Sequence, residues 1–328
     1  MSTTKTRKIT PSGVLVARYG TPREEWLRLR RDGLGGSDAL AVLGLDPWKT
    51  RMEVYLDKTG DERAEREQTD AMAWGNYAEA PIAEWFAFKT GIKVRRCGLM
   101  RHADRPWQRV SVDRLTSDGG LLECKNTNYH RRGEWEDDEG EIVADGAEAQ
   151  AQHGLAVTGL PHAWFAAQVG GQPPVIRRIE RDEAFIRDLT ACEEEFWQLV
   201  EARTPPALEG RASADLIARL YPEADNGRTA ELSAADVALL REYRKELANE
   251  NAAKGRKDEI KALITAVMGD APIATYEGRP AARWANRSKT SVPKEGIAVL
   301  REKYPDVAAE VVTDKGFRQF GVTLKEVA

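Results

Sequence analysis

The sequence of 328 residues has few cysteines and few histidines. Its three cysteines, Cys97, Cys124 and Cys192, are scattered and odd in number, so they predict no disulfide framework and indicate a reducing compartment. Three thiolates are also too few for a four-cysteine zinc or iron–sulfur site. The four histidines lack the spacing of zinc ligands, and His153 is interpreted as structural or as adjacent to substrate.

Long apolar stretches are absent as well. The most apolar short run, residues 39–45, has seven residues and includes a glycine, far below the ~20 residues that span a bilayer. The first ten residues are basic in part, but no apolar segment follows them, so they do not predict a secretory signal. We therefore expect a cytoplasmic protein without a membrane partner.

The charges are nearly balanced, with 49 Lys and Arg against 53 Asp and Glu, for a formal net charge of −4. This balance excludes a protein whose whole surface is basic for nucleic-acid binding, although it allows a local basic site. A composition of 41% hydrophobic and 31% charged residues is typical of a folded globular chain. The length fits one large domain or two smaller ones.

The apolar spacing predicts both helices and strands up to about residue 203. The first two helices are predicted to begin at N-cap residues Thr21 and Ser37. Helices are expected over 22–31, 38–43, 50–60, 71–90, 146–158 and 182–203. Strands are expected over 92–101, 109–115, 121–126, 163–169 and 175–179. This mixture predicts an α/β fold with a central mixed sheet flanked by helices.

Thr204-Pro205-Pro206 is the clearest boundary, and it predicts a first domain over 1–205 and a helix-rich extension over 206–328. In the extension we expect a long charged helix over 233–268, with a possible interruption in the polar stretch 249–255. A hairpin over 273–287 and a short helix over 293–303 follow. The extension is interpreted either as an oligomerisation or partner-docking module or as a surface helix packed on the first domain.

The strongest chemical signal is Asp113 followed by Glu123 and Lys125. Asp113 lies at the end of one predicted strand, and the other two lie two residues apart on the next, so they project from one face. Two carboxylates on adjacent strands offer hard oxygen ligands for Mg²⁺ or Mn²⁺. A lysine on that face can orient water or stabilise charge on a phosphoryl oxygen. The alternative is a carboxylate–lysine pair on a solvated sheet face.

Several blocks, in order, resemble the YqaJ-type viral recombinase family, relatives of phage lambda exonuclease among the PD-(D/E)XK nucleases. The blocks include GLGGSDALAVLGLDPWKT (33–50), WGNYAEAPIAEWFAFKTGIKV (74–94), RVSVDR (109–114), LLECKN (121–126) and EAQAQHGLAVTG (148–159). The resemblance extends from about residue 20 to about residue 205 and implies a PD-(D/E)XK restriction-endonuclease-like core.

The resemblance also implies a set of metal ligands. Asp113 and Glu123 match the metal-binding carboxylates, and the Cys124 carbonyl matches a further ligand. Glu79, on the helix predicted over 71–90, matches the acidic residue that completes the site or a second metal position. The implied cofactor is Mg²⁺ or Mn²⁺.

Four further residues carry implied roles at the site. Lys125 matches the catalytic lysine, and Gln150 matches the glutamine that binds or orients substrate. Arg30 and Ser37 match the pair that holds a terminal 5′-phosphate. A helix start at Ser37 would attract an anion independently of the resemblance, and arginine is a bidentate phosphate donor. The alternative is that Ser37 is only an N-cap and Arg30 only a surface arginine.

The sequence departs from the family pattern at three places. Cys124 replaces a usual aliphatic residue, and Arg114 follows Asp113 where glycine is common, which puts the local turn geometry in question. The segment 134–148 carries eight carboxylates and no Lys or Arg, so we expect it to face away from DNA or to bind another partner.

The function implied by the resemblance is a metal-dependent DNA exonuclease of phage recombination, acting in the host cytoplasm. It would digest the 5′ strand of linear duplex DNA and expose 3′ single strands for a single-strand annealing protein, and it would form a homo-oligomer. One alternative is a nuclease of a repair or helicase–nuclease system, although such relatives often carry iron–sulfur cysteines that this chain lacks. The other is a non-catalytic DNA-binding scaffold of the same fold.

Aromatic residues add two weaker expectations. Four tryptophans in apolar sequence context are predicted to lie in the core and not to stack on bases, namely Trp48, Trp74, Trp85 and Trp164. The segment 128–132, which contains Tyr129, Arg131 and Arg132, could follow a DNA backbone or form a solvated loop.

Overall fold

The computed structural model describes residues 8–61, 69–136, 142–209, 212–288, 293–313 and 322. Residues 137–141 of the acidic segment lie outside these ranges. The chain forms two compact units, Met1–Tyr221 and Pro222–Ala328. Among the described residues, no helix combines the length and apolar character needed to cross a bilayer.

The first unit contains both strands and helices, as the apolar spacing predicts. Its strands are β1 (Gly13–Ala17), β2 (Val94–Arg95), β3 (Leu99–His102), β4 (Arg109–Val110), β5 (Arg114–Thr116), β6 (Leu121–Thr127), β7 (His162–Val169) and β8 (Val175–Glu180). Its helices are α1 (Arg23–Arg31), α2 (Ala39–Val42), α3 (Arg51–Thr59), α4 (Asp70–Thr90), α5 (Asp145–Thr158), α6 (Glu183–Glu201) and α7 (Ala212–Leu220).

The central sheet has five strands in the order β2-β5-β6-β7-β8. β6 and β7 pair in parallel, from Leu121 opposite Ala163 to Thr127 opposite Val169, and the other neighbours are antiparallel. A parallel pair needs a long crossover connection, and α5 lies within it. The predicted α/β class with a central mixed sheet flanked by helices is therefore confirmed.

The two faces of β6 are covered by different helices. Leu121 belongs to an apolar cluster with Leu155 of α5, and Leu122 belongs to another with Phe86 of α4. Both leucines are fully buried, and burying each side chain contributes about 1.5–3 kcal/mol. Because side chains alternate along a strand, Glu123 shares the face of Leu121.

Two predicted strands are each divided in two. β1, β3 and β4 form a separate three-stranded sheet, whereas β2 and β5 belong to the central sheet. The chain changes sheets between β4 and β5, so residues 111–113 lack strand pairing. Asp113 is therefore at a bend between the sheets and not at the end of a continuous strand.

Helix starts differ from the sequence prediction at the first helix. The N-cap of α1 is Pro22, and the Thr21 hydroxyl donates a hydrogen bond to the Arg18 carbonyl (2.9 Å). The predicted Thr21 cap is thus wrong, because the hydroxyl binds the preceding turn. Thr50 does cap α3, by accepting a hydrogen bond from the Glu53 N–H.

The second unit contains α8 (Ala234–Met268), β9 (Ile273–Tyr276), β10 (Arg279–Arg283), α9 (Lys294–Lys303) and α10 (Pro305–Val311). α8 runs 35 residues without a break, so the possible interruption at 249–255 does not occur. The hairpin turns at Glu277 and Gly278, as predicted, and both have positive φ (49° and 76°), as a tight two-residue hairpin turn requires.

The compact first unit extends past Pro205-Pro206 and includes α7. Leu216 of α7 is fully buried, and Arg219 pairs with Glu53 of α3. The predicted division at residue 205 stays a prediction about independent folding, whereas the contacts place the end of the unit at Tyr221.

Candidate active site

The Asp113 carboxylate is fixed to β6 by the backbone. Its Oδ2 accepts a hydrogen bond from the Cys124 N–H (2.7 Å). Cys124 lies between Glu123 and Lys125, so this bond brings the bend between the two sheets against the strand that carries the other predicted residues. The antiparallel pairing of β5 with β6 brings residue 113 close to residue 123.

Glu123, Lys125 and Gln150 form a closed hydrogen-bonded triangle. The Lys125 ammonium donates to Gln150 Oε1 (2.7 Å) and to Glu123 Oε2 (3.3 Å), and Gln150 Nε2 donates to the same Glu123 oxygen (2.6 Å). Gln150 comes from α5, which covers this face of the sheet. Glu123 is only 3% exposed, so the alternative of a solvated surface ion pair does not describe it.

The charged forms of the Asp113 and Glu123 carboxylates are electrostatically unfavourable without a cation. Burial, together with the charges of Glu123 and Glu79, raises the pKa of Asp113 to about 8, although Lys125 opposes the shift. Burial likewise raises the pKa of Glu123 above its usual range. A bound cation would relieve both effects, because it favours the charged carboxylates.

Glu79 of α4 is held by Arg114, the residue that follows Asp113 where the family pattern commonly has glycine. Arg114 is buried, and its Nη1 contacts Glu79 Oε1 and donates to the Asp113 carbonyl (2.6 Å). Arg114 therefore links Glu79 to the bend at Asp113. Its position next to Asp113 in the sequence is the signal that could have identified it as a site residue. Within the described ranges, no three carboxylate, imidazole or thiol groups converge to hold a metal.

Cys124 contributes to the site through its backbone. Its side chain packs against the apolar cluster on the α4 side of the sheet. Burial and the neighbouring Asp113 raise the pKa of the thiol, which therefore stays protonated. The role of its carbonyl as a metal ligand stays a prediction.

The donors present suit a hard divalent cation. Mg²⁺ commonly uses one or two protein carboxylates and completes its octahedron with water and phosphate oxygens. Glu123 supplies a buried carboxylate and Asp113 a partly buried one, and the hydrogen bond from the Cys124 N–H keeps Asp113 beside the strand that carries Glu123. The residues thus fit Mg²⁺ or Mn²⁺ without a third preassembled ligand.

A second cluster surrounds the fully buried carboxylate of Asp38. Lys49 Nζ is 2.6 Å from Asp38 Oδ1, Lys58 Nζ is 2.9 Å from Oδ2, and Arg30 Nη2 is 3.9 Å from Oδ1. Arg30 also donates to the Ser37 hydroxyl (2.6 Å). We call Arg30, Lys49 and Lys58 the cation cluster. Although burial opposes ionisation, these cations hold the pKa of Asp38 well below its usual value.

Ser37 was predicted to be an N-cap, and this prediction is wrong. It lies inside a short 3₁₀ turn, Gly36–Asp38, and the Asp38 carboxylate accepts the Gly35 N–H (3.0 Å). α2 has only four residues, so the attraction for an anion comes from the cation cluster and not from a long helix. Gly36 packs directly on α5, since a Cβ there would be 3.0 Å from Gln150.

One cleft, about 850 Å³ in volume, is lined by Ser37, Lys125 and Gln150. Lys125 and Gln150 belong to the triangle, and Ser37 accepts a hydrogen bond from Arg30 of the cation cluster. Arg131 also lines it, and its guanidinium donates to Glu134 (2.7 Å). Arg132 pairs similarly with Glu136 (2.7 Å), so the basic charge of this loop is largely compensated.

Two of the four predicted core tryptophans are exposed. Trp48 is 72% exposed in the turn after α2, and Trp74 is 61% exposed on the outer face of α4. The prediction is wrong for both, because apolar neighbours in sequence do not set the direction of a side chain on a turn or an outer helix face. Trp85 and Trp164 are partly buried and donate to Pro174 and Asp118, respectively.

His153 belongs to a buried ionic network beneath the site. Its Nδ1 is 2.6 Å from Glu193 of α6, and its Nε2 is 2.8 Å from the Arg109 carbonyl. Gln108 donates to the other Glu193 oxygen (2.7 Å). Burial alone would lower the pKa of His153, but Glu193 and the carbonyl outweigh it and raise that pKa. Its predicted structural role fits these contacts.

Comparisons with known proteins agree with this architecture. Residues 25–161 match the YqaJ-like viral recombinase domain. The protein YqaJ of Bacillus subtilis (strain 168) is 34% identical over 325 residues, covering 96% of this chain and 98% of that protein.

Solved structures that match part of this chain include exonucleases. An alkaline exonuclease from Laribacter hongkongensis is 22% identical and matches 55% of this chain and 94% of its own, with a TM-score of 0.46. Its complex with dAMP has a TM-score of 0.47, with the same identity and coverage. A phage-related exonuclease from Haemophilus somnus 129PT is 12% identical and matches 52% of this chain and 96% of its own, with a TM-score of 0.35.

Proposed function

The chain belongs to the YqaJ-like viral recombinase family, and we propose that it is a metal-dependent DNA exonuclease. The observation that carries the proposal is the convergence of Asp113, Glu123, Lys125 and Gln150 through hydrogen bonds beside the middle of β6. A lysine–carboxylate–amide triangle with a buried carboxylate, beside a second carboxylate, suits phosphodiester hydrolysis.

The chemistry divides between the cation and the side chains. Mg²⁺ or Mn²⁺, held by Asp113 and Glu123, would supply a Lewis acid and a more acidic water. The Lys125 ammonium is held at a fixed point because Gln150 and Glu123 accept hydrogen bonds from it. From there it can orient the attacking water or stabilise charge on the phosphoryl oxygen. Gln150 holds the lysine and can also bind the phosphate.

We further propose that the enzyme recognises a terminal 5′-phosphate and degrades the 5′ strand of duplex DNA. A terminal phosphate is a dianion, whereas an internal phosphodiester carries one charge. Arg30, Ser37 and Lys49 offer partly exposed donors for it. Lys58 is fully buried, so it adds charge without direct contact. Binding this phosphate would hold the next bond at the metal and lower the barrier for each cut.

The proposal extends to the products and partners that the family resemblance suggests. Removal of the 5′ strand exposes a 3′ single strand, which a single-strand annealing protein would coat. We propose that the chain acts on duplex ends with such a partner and as a homo-oligomer. A non-catalytic scaffold is disfavoured, because it would have no need of the hydrogen-bonded triangle of Glu123, Lys125 and Gln150.

One assay tests the proposal. Linear duplex DNA with 5′-phosphate or 5′-hydroxyl ends is incubated with the full chain in Mg²⁺, in Mn²⁺ or in EDTA, and acid-soluble nucleotides are counted. Release from phosphorylated ends in the metals and none in EDTA is expected, with Lys125→Ala as the inactive control. Digestion that persists in EDTA, or no digestion in either metal, contradicts the proposal.

A further inference from the structure

We propose that Trp48 is a stacking platform for a nucleobase of the strand held in the cleft. This inference rests on the proposed function, and it adds a base subsite to the metal and phosphate sites. The ligand is a nucleobase of any sequence, because stacking uses the flat face that all bases share.

The position of Trp48 is fixed although its ring is exposed. The Asp46 carboxylate accepts hydrogen bonds from the Trp48 N–H (2.7 Å) and the Lys49 N–H (3.0 Å), so the backbone of the turn is tied down. Leu45 is 67% exposed, and Pro47 is exposed beside it. The three apolar side chains therefore form a short ledge on the wall of the cleft.

The neighbours of the ledge match the other part of a nucleotide. Lys49, next to Trp48 in sequence, pairs with Asp38 in the cation cluster. Ser37, Lys125 and Gln150 line the same cleft. Arg30 of the cation cluster donates to Ser37, so the cluster adjoins the cleft that the exposed indole lines. This combination has the chemistry of phosphate plus base, and a docked protein surface would not require the cluster.

Stacking predicts a defined energetic signature. Replacing a stacking aromatic by alanine costs affinity roughly fivefold to hundredfold per base. Purines have larger faces than pyrimidines, so the loss should be greater for a purine at the contacted position. No hydrogen-bond partner for a particular base edge is invoked, so the subsite should bind every base.

The test is a double-mutant cycle between Trp48 and an abasic nucleotide. The probes are 5′-phosphorylated duplexes with short frayed ends that carry a tetrahydrofuran abasic residue at the first, second or third 5′ position. Affinity of the full chain is measured by fluorescence anisotropy in EDTA, so that binding is read without cleavage. The variants are Trp48→Ala and Trp48→Phe, and Trp284→Ala replaces an exposed tryptophan of the Pro222–Ala328 unit as the control.

We expect the wild type to lose at least fivefold in affinity when one particular base is removed. Trp48→Ala should bind the intact probe as weakly as the wild type binds that abasic probe, and it should be insensitive to the same deletion. Trp48→Phe should recover part of the loss, and Trp284→Ala should match the wild type.

Additive effects of Trp48→Ala and every abasic position would overturn the proposal. So would wild-type affinity in Trp48→Ala, or a change in oligomeric state by size exclusion without coupling, which would make the ledge an interface between copies. Binding is measured without cleavage, so the two proposals can fail separately. If Trp48 and one base are coupled in binding but the protein never hydrolyses DNA, the base subsite is supported and the nuclease proposal is rejected.

Discussion

Arg219 of α7 forms an ion pair with Glu53 of α3 across the predicted domain boundary. Glu53 is buried and also accepts a hydrogen bond from the Thr50 N–H (2.9 Å) at the start of α3. The same helix carries Lys58 of the cation cluster, and Lys49 directly precedes Thr50. A segment beyond Pro206 thus supports the helix that contributes Lys58 to the cation cluster.

The stability of a truncated protein should therefore depend on whether the chain is cut before or after α7. A protein ending at Tyr221 should unfold with about the same free energy as the corresponding part of the full chain. One ending at Pro206 should lose about 3 kcal/mol, because the buried Glu53 loses its ion pair with Arg219 and the Leu216 contacts vanish. Urea unfolding of both proteins measures this.

A point variant separates charge from chain length. Arg219→Gln should destabilise the full chain, whereas Arg187→Gln, at an exposed pair with Asp188, should change its stability by less than about 0.5 kcal/mol. Equal stability of the two truncated proteins would show that α7 does not support α3.

Asp113, Glu123 and Lys125 should act as one catalytic unit. Asp113→Asn, Glu123→Gln and Lys125→Ala should each lower the cleavage rate by about 10²-fold or more while the protein stays folded. Combining two of them should cost little more than one, since groups that act together are not additive. Initial rates on phosphorylated duplex ends, with the exposed Asp188→Asn as control, provide the measurement. Wild-type digestion by Glu123→Gln would refute the assignment.

Metal affinity should depend on pH through Asp113. Its pKa of about 8 in the metal-free protein means that the carboxyl is protonated at neutral pH, and a metal must displace that proton. The affinity for Mg²⁺ should therefore rise about tenfold per pH unit below pH 8 and level off above it. Calorimetric titration at several pH values, in buffers of different ionisation enthalpy, checks both affinity and proton release. Affinity independent of pH between 6 and 8 contradicts this picture.

The His153–Glu193 pair should make stability depend on pH in the opposite sense to an ordinary carboxylate. The folded pKa of His153 is raised, so its contribution is complete below the unfolded value of about 6.5 and disappears as the pH rises through the folded pKa. His153→Gln should cost about 3–5 kcal/mol, because Glu193 remains buried without its cation. Unfolding free energies from pH 5 to 9 test this, and a pH profile shared by wild type and variant would exclude it.

The sequence was most informative where periodicity and caps act locally. Thr50 and the 3.6-residue spacing of α4 predict those helices correctly, and two-residue alternation places Glu123 and Lys125 on one face. The change of sheet at Asp113 was not predictable, because it depends on the pairing of β4 and β5 with different partners. The strand pattern looks continuous across it.

The cation cluster could not be read from the sequence for a related reason. Arg30 and Lys58 come from α1 and α3, and Lys49 comes from the turn between α2 and α3, so no spacing rule connects them. Asp38 follows Ser37 directly, yet its role as their common partner appears only when these segments pack. The exposure of Trp48 likewise depends on a turn held by Asp46.

The interior position of β6 has a consequence for how rigid each part of the cleft is. β6 is bonded on both edges, by β5 and by β7, whereas the cation cluster is built on short helices at the periphery. We expect amide hydrogens of β6 to exchange with solvent only when the whole unit opens, and those around α2 to exchange through small local openings. The cutting geometry would then stay constant while the end-holding part adapts to DNA ends of different shape.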